Sequence, residues 1–114
     1  MTRLDAYRAA RDAVAPNPAR PATAVIHDTP DARLVVFRLA PGQQVPPHRN
    51  ASSVYLTVLA GHGILSGEVG DTPTEAPCAP GDVVAYAPNE LHAMRAETEE
   101  LLLLATITPR PGGR

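Results

Sequence analysis

The chain has 114 residues, a mass of 12.0 kDa and a formal charge of −2, and all ten of its basic residues are arginines. That length supports one hydrophobic core, and the charge offers no basic surface for nucleic acid or anionic membranes. The absence of lysine excludes Schiff-base chemistry, and a single cysteine, Cys78, excludes an internal disulfide. With no secretory leader and no apolar run of membrane-spanning length, we expect a cytoplasmic protein.

The first 23 residues predict a helix followed by an arm. Apolar and long side chains recur at spacings of three and four over residues 3–15, which is typical of a short amphipathic helix. Thr2 and Asp5 form a potential capping box at its start. The segment PNPARPAT, residues 16–23, contains three prolines, which exclude a helix or a central strand, so we expect an extended arm.

From Ala24 the period of apolar residues changes from 3.6 to 2, which is typical of strands. Seven short strands are predicted, separated by turns rich in glycine and proline: Ala24–His27, Arg33–Leu39, Ser53–Leu59, Gly63–Gly67, Asp82–Tyr86, Leu91–Ala96 and Leu101–Thr108. Short strands without a second helix indicate an antiparallel sandwich or barrel over residues 24–108. Residues 109–114 are predicted to form a flexible tail.

Two of the predicted strands carry apolar residues on both faces. They are Ser53–Leu59 and the segment LLLLATI at 101–107. In a monomeric antiparallel barrel the outer face should be polar. Either the N-terminal helix or arm covers that face, or a second subunit does. We expect a homodimer.

The chain lacks the common nucleophile and phosphate-binding motifs. None of its three serines lies in a G-x-S-x-G elbow, and the segment AGHG at 60–63 joins two strands instead of opening a helix. Cys78 has no cationic neighbour in sequence, so we interpret it as a small buried thiol and not as a nucleophile. The histidines remain as candidates for chemistry.

Two of the histidines lie in segments that resemble the motifs of the cupin family. The first cupin motif runs G, five residues, H-x-H, three or four residues, E, six residues, G. Here five residues separate Gly42 from His48, and Gly61 occupies the closing position. The second motif runs G, five residues, P-x-G, two residues, H, three residues, N, and Gly81 and His92 hold its first and central positions.

The resemblance covers residues 34–105 and implies a fold class. For this chain the resemblance implies an all-β, single-domain fold, the antiparallel double-stranded β-helix or jelly-roll barrel of the cupins. With the predicted N-terminal segment, the domain organisation is a helix and arm at 1–23, a cupin-like barrel at 24–108 and a tail at 109–114.

The departures from the motifs concern the metal ligands. In metal-binding cupins, two histidines and a glutamate of the first motif and the histidine of the second usually hold the metal. Of these positions His48 and His92 are retained, whereas Asn50 replaces the second histidine. Val54 replaces the glutamate, or Tyr55 does if the spacing is one residue longer. The second motif also departs from the pattern at Ala87, Asn89 and Ala96.

Two imidazoles and an amide are a poor ligand set for a catalytic transition metal, which normally has at least three good protein donors. The lost carboxylate also removes a charge that would offset the cation. Glu90 and Tyr55 are candidates to replace the missing metal ligands. The alternative role of Glu90 is a solvent-exposed charge, and that of Tyr55 is packing. His62, between two glycines, and His27, at a strand end, are expected at the surface.

Three functions follow from this pattern. The preferred one is a metal-free or weakly metal-binding pocket for a small molecule, lined by His48, Asn50, Val54, Tyr86 and His92. The alternative is a metal-dependent enzyme of the dioxygenase or isomerase type, with His48 and His92 holding Fe, Mn, Ni or Zn. The third is a metal-free acid–base enzyme like the sugar-epimerising cupins, with Tyr86 as acid, although no carboxylate is placed to orient the histidine.

Overall fold

The computed structural model describes residues 1–112, which form one helix and seven strands. The elements in chain order are α1 (Ala6–Asp12), β1 (Ala22–Asp28), β2 (Arg33–Leu39), β3 (Gln44–His48), β4 (Ser53–Val69), β5 (Thr72–Cys78), β6 (Val83–Tyr86) and β7 (His92–Thr108). All strand pairs are antiparallel. The predicted all-β barrel with a short N-terminal helix is therefore confirmed. No helix in residues 1–112 is long and apolar enough to cross a membrane.

The long strands β4 and β7 pair with each other and form the centre of the fold. The main strand order is β1-β2-β7-β4-β5, with β3 added to β7 and β6 added to β4. β2 and β6 lie beside the half of the β4–β7 ladder at the start of β4, whereas β3 and β5 lie beside the other half. Each long strand therefore contributes to both sheets of a jelly roll.

β4 bends where its register against β7 shifts, and glycine makes this bend possible. The shifts lie between Val58 and Ala60 and between Gly61 and Gly63. Gly61 has φ +81°, and a Cβ atom there would overlap the carbonyl oxygen of Glu100. The backbone of β7 approaches β4 too closely for any side chain at this position.

The core lies between the two sheets and receives residues from both halves of the long strands. Its fully buried members include Leu39, Leu56, Leu101 and Leu103. A second cluster lies on the outer face, where Ala10 of α1 packs on Val36 and Leu102. The alternating leucines of β7 therefore face the core and the helix in turn.

The helix covers only part of the outer face, which sequence analysis found to be apolar. Tyr55 and Val83, on the neighbouring strands β4 and β6, remain 41% and 61% exposed. Both large side chains therefore stay accessible within the described chain.

The strand prediction was wrong in two respects. Ser53–Leu59 and Gly63–Gly67 belong to the single strand β4, and Leu91–Ala96 and Leu101–Thr108 merge into β7. The sequence also gave no sign of β3 and β5, because each contains two prolines. Both are edge strands that pair on one side only, where proline needs no partner for its missing N–H group.

The N-terminal segment also differs from the prediction of a helix over 3–15 and an extended arm. The helix begins after Asp5, whose carboxylate accepts a hydrogen bond from the Arg8 backbone N–H at 3.0 Å, so the cap is Asp5 and not a Thr2 capping box. The arm turns instead of extending, because the Asn17 side chain accepts from the Ala19 N–H and its carbonyl from the Arg20 N–H.

Part of the predicted 109–114 tail contacts the barrel. The carbonyl of Pro109 accepts a hydrogen bond from the Ser52 hydroxyl at 2.7 Å, and the Arg110 N–H donates to the Pro30 carbonyl. Gly113 and Arg114 lie outside the described residues.

Replacing Gly61 by alanine should destabilise the protein far more than the same change at Gly42. Both glycines have φ near +80°, but a Cβ atom at Gly42 meets nothing within 4 Å. We expect Gly42→Ala to cost about 1–2 kcal/mol from backbone strain alone. Gly61→Ala should cost roughly 2 kcal/mol more, because the overlap with Glu100 must open the β4–β7 ladder. Urea unfolding of both variants measures the difference, and equal losses would contradict this account.

Candidate functional site

The structure brings His48 and His92 together across two paired strands. They are register partners at the end of β3 and the start of β7. Their ring centroids are 4.0 Å apart, with an edge-on angle of 65° between the planes. His92 is buried at 4% exposure, whereas His48 is exposed. One ring therefore forms the inner wall of the site and the other its solvent-facing side.

Both histidines use the same ring nitrogen to bind the backbone. His48 Nδ1 lies 3.0 Å from the Pro46 carbonyl oxygen, and His92 Nδ1 lies 3.2 Å from the Glu90 carbonyl oxygen. A carbonyl only accepts hydrogen bonds, so each Nδ1 carries the proton. In the neutral ring Nε2 then keeps its lone pair, as in histidines that bind metals or ligands.

The surroundings of His92 favour its neutral form. Burial lowers the pKa of His92 most strongly, the hydrogen bond to the Glu90 carbonyl raises it, and the neighbouring His48 ring lowers it again. The net direction is a pKa below the usual value. At neutral pH the buried ring is therefore an acceptor at Nε2.

Tyr86 lies beside His92, but its hydroxyl is already used. The two ring centroids are 4.9 Å apart, and the phenol donates a 2.9 Å hydrogen bond to the Ser66 carbonyl. Burial, followed by the charge of Glu90, raises the pKa of Tyr86 to about 12. Such a phenol packs against the imidazole but is a poor proton donor to a substrate at neutral pH.

The other two predicted pocket residues have different surroundings. The Asn50 side-chain oxygen accepts a hydrogen bond from the Ser52 N–H at 2.9 Å, and Asn50 lines a separate cavity with Arg49 and Pro109. Val54 is buried in the core, opposite Tyr86 in the β4–β6 pair. The Asn50 oxygen is therefore engaged within its own loop, and the Val54 side chain carries no polar atom.

None of the possible replacement ligands completes a metal site in the described chain. Glu90 turns one carboxylate oxygen back to the Ala87 N–H, and Tyr55 lies 41% exposed on β4. His62 is on the surface, paired with Glu99 at 2.6 Å. Residues 1–112 hold no cluster of three or more His, Cys, Asp or Glu side chains arranged for a metal ion.

A cavity of about 360 Å³ opens beside His92 and is lined by residues of β3, β4, β5 and β7. Its walls include Val45, Pro47 and Met94. Glu75 and Arg95 also line it, but they bind each other at 2.5 Å. The charged groups of the cavity wall are therefore paired with each other. His92 contributes an imidazole nitrogen that can accept a hydrogen bond from a ligand.

An ion pair that sequence analysis missed joins the loops next to both histidines. Arg49, which follows His48, binds Glu68 at 2.5 Å and the Asn89 carbonyl at 2.7 Å. Glu68 also accepts from the Leu91 N–H, one residue before His92. The hydrogen bond from Arg49, followed by that from Leu91, lowers the pKa of Glu68. The partners are 19 residues apart, so no local pattern could have indicated this contact.

The comparison with known proteins agrees with the fold. The family model for the cupin domain matches residues 35–108. The chain belongs to the cupin family. No curated protein sequence matches it significantly.

Several solved structures are similar to this one. A Thermus thermophilus protein is 26% identical, with a TM-score of 0.80 over 97% of this chain and 100% of that one. A Klebsiella pneumoniae protein with a double-stranded β-helix domain is 21% identical, with a TM-score of 0.81 over 99% and 95%. A predicted oxalate decarboxylase from Thermotoga maritima is 22% identical, with a TM-score of 0.71 over 78% and 80%. The last two likenesses show the fold alone.

Acidification should destabilise this cupin through His92. Because its pKa is below the usual value of about 6.5, the unfolded chain takes up a proton more readily than the folded state. The stabilising contribution is complete above about pH 6.5 and is lost as the pH falls toward the folded-state pKa. Between pH 8 and pH 5, the wild type should therefore lose more unfolding free energy than His92→Asn. Equal losses in urea titrations would show that His92 is not the group concerned.

Proposed function

We propose that this cupin binds a small molecule in the cavity beside His92, without a metal or with a weakly held one. The observation that carries the proposal is the pair of Nδ1 hydrogen bonds to the carbonyls of Pro46 and Glu90. It fixes the orientation of both rings and leaves both Nε2 atoms as acceptors. Two imidazoles with centroids 4.0 Å apart offer a ligand two adjacent acceptors.

The lining of this cavity favours an uncharged ligand over an ionic one. The two charged residues of its wall, Glu75 and Arg95, satisfy each other, and much of the remaining wall is aliphatic. An ionic ligand would lose its hydration without gaining a counterion. A ligand with an apolar body and one hydroxyl or N–H group would bury its body and donate to Nε2 of His92.

A metal ion would be held loosely by His48 and His92. Four-ligand structural zinc sites bind with about 10–16 kcal/mol, so two ligands supply about half of that. The corresponding dissociation constants are on the order of 1–200 μM. Of the four ions expected from the sequence, Fe, Ni and Zn suit imidazole nitrogen, whereas Mn prefers oxygen ligands.

One observation favours the alternative, a metal-dependent enzyme of the dioxygenase or isomerase type. Histidines that bind a metal through Nε2 typically donate Nδ1–H to a backbone carbonyl, as both rings do here. A chelating substrate would have to supply the missing ligands. The acid–base alternative is weaker, because the Tyr86 hydroxyl is bound to Ser66.

The proposal also includes a cytoplasmic homodimer. The free, buried Cys78 suits a reducing compartment. The exposed Tyr55 and Val83 offer an apolar surface for a second copy of the chain. The molar mass measured in solution should equal that of two chains. A monomer at micromolar concentration would contradict this expectation.

Binding should depend on the histidine pair and not on metal. We would titrate the protein with phenol and other uncharged hydroxy compounds, with EDTA present, and follow backbone amide shifts by NMR. Binders should shift residues of β3 and β7. His92→Gln and His48→Ala should each weaken binding about 2- to 10-fold, the equivalent of one hydrogen bond.

His62→Ala is the matched control, because it removes a surface histidine that lies outside the site. It should leave binding unchanged. Binding that is seen only when EDTA is left out would favour the metal-dependent alternative. Equal affinities in the wild type and in both site variants would overturn the proposal.

A further inference from the structure

A second cavity, separate from the one beside His92, lies between the N-terminal arm and the barrel. Its volume is about 290 Å³, enough for on the order of ten water molecules at about 30 Å³ each. Arg20 of the arm and Arg38 of β2 line it together with Gln43. It shares no lining residue with the cavity beside His92.

The charge at this second cavity is one-sided. Among the residues of 1–112 that line it there are two arginines and no aspartate or glutamate. The carboxylate of Glu100 lies 3.7 Å from Arg38 and also binds Arg11 at 2.5 Å. One carboxylate therefore serves two guanidinium groups, and the second cavity keeps an excess of positive charge.

The two lining arginines retain donor capacity. Arg20 makes no side-chain hydrogen bond or ion pair within the described chain, unlike Arg49 and Arg95, which bind carboxylates. Arg38 donates to the Ala13 carbonyl at 2.6 Å, but its buried Nε has no partner in residues 1–112. Unsatisfied arginine donors are well suited to the oxygens of a carboxylate or phosphate.

The walls of the second cavity are fixed by hydrogen bonds that do not use Arg20. Gln43 donates to the Pro18 carbonyl at 3.0 Å and accepts from the Ala40 N–H at 2.9 Å, which ties the arm to the β2–β3 loop. Arg38 ties the end of the helical segment to β2 through Ala13. The arm is thus held in place, and Arg20 is left free to bind a ligand.

We propose that this second cavity is a binding site for a small oxyanion, a carboxylate or a phosphate group, held by Arg20 and Arg38. Arg20 supplies the bidentate contact, and Arg38 supplies a second positive charge. The site is independent of the histidine pair, so its ligand does not have to enter the cavity beside His92.

The test is an NMR titration of the full chain at pH 7.5 with sodium phosphate, sodium acetate and sodium citrate, against sodium chloride at equal ionic strength. An oxyanion should give saturable shifts at the amides of residues 14–22 and 38–43. Saturation by phosphate alone assigns a phosphate ligand, and saturation by acetate or citrate assigns a carboxylate. Shifts no larger than those from chloride would overturn the proposal.

Matched variants separate a built site from general charge attraction. Arg20→Gln should weaken oxyanion binding at least 5-fold. Arg3→Gln removes the same charge from an exposed arginine outside the cavity and should change the affinity less than 2-fold. Equal losses in the two variants would contradict the proposal. Arg20 is exposed and has no partner to lose, so Arg20→Gln should fold normally.

Discussion

The antiparallel pairing of β4 and β7 is the constraint on which the rest of the structure depends. Each strand has 17 residues, and each supplies inward-facing side chains to both sheets of the barrel. The pairing requires a sharp bend, and the bend requires a close approach of the backbone at Gly61. Once the bend is made, β2, β3, β5 and β6 add to the edges of these two strands, and β1 adds to β2.

The candidate site is a consequence of one of these additions. β3 pairs with the first residues of β7, so the last residue of β3 and the first residue of β7 become neighbours. These residues are His48 and His92. The Arg49–Glu68 pair then joins the loops that follow one histidine and precede the other. The relative position of the two rings is therefore set by backbone pairing and by one partly buried ion pair.

Much of the fold could be predicted from the sequence, and the reasons are local. The period-2 pattern and the glycine- and proline-rich turns indicated the barrel, and the motif positions of His48 and His92 indicated a shared site. The edge strands escaped prediction because Pro46 and Pro73 look like turn residues, and proline is tolerated where a strand pairs on one side only.

The role of Asn50 could not be predicted from the sequence either. Its position matched that of a family ligand, but its side chain accepts a hydrogen bond from the Ser52 N–H within its own loop. The Arg49–Glu68 pair and the cavity with Arg20 join segments distant in the chain, which no spacing rule predicts. Sequence patterns report the local geometry of a strand, whereas these contacts depend on how the long strands bend.

The central claim is that backbone hydrogen bonds hold the neighbouring rings of His48 and His92 as the tautomers with an unprotonated Nε2. Long-range proton–nitrogen correlation NMR of the imidazole rings at pH 8 tests it most directly, because it distinguishes the two neutral tautomers. The account predicts that His48 and His92 are both protonated at Nδ1, as their bonds to the Pro46 and Glu90 carbonyls require. Protonation at Nε2 in either ring would contradict it.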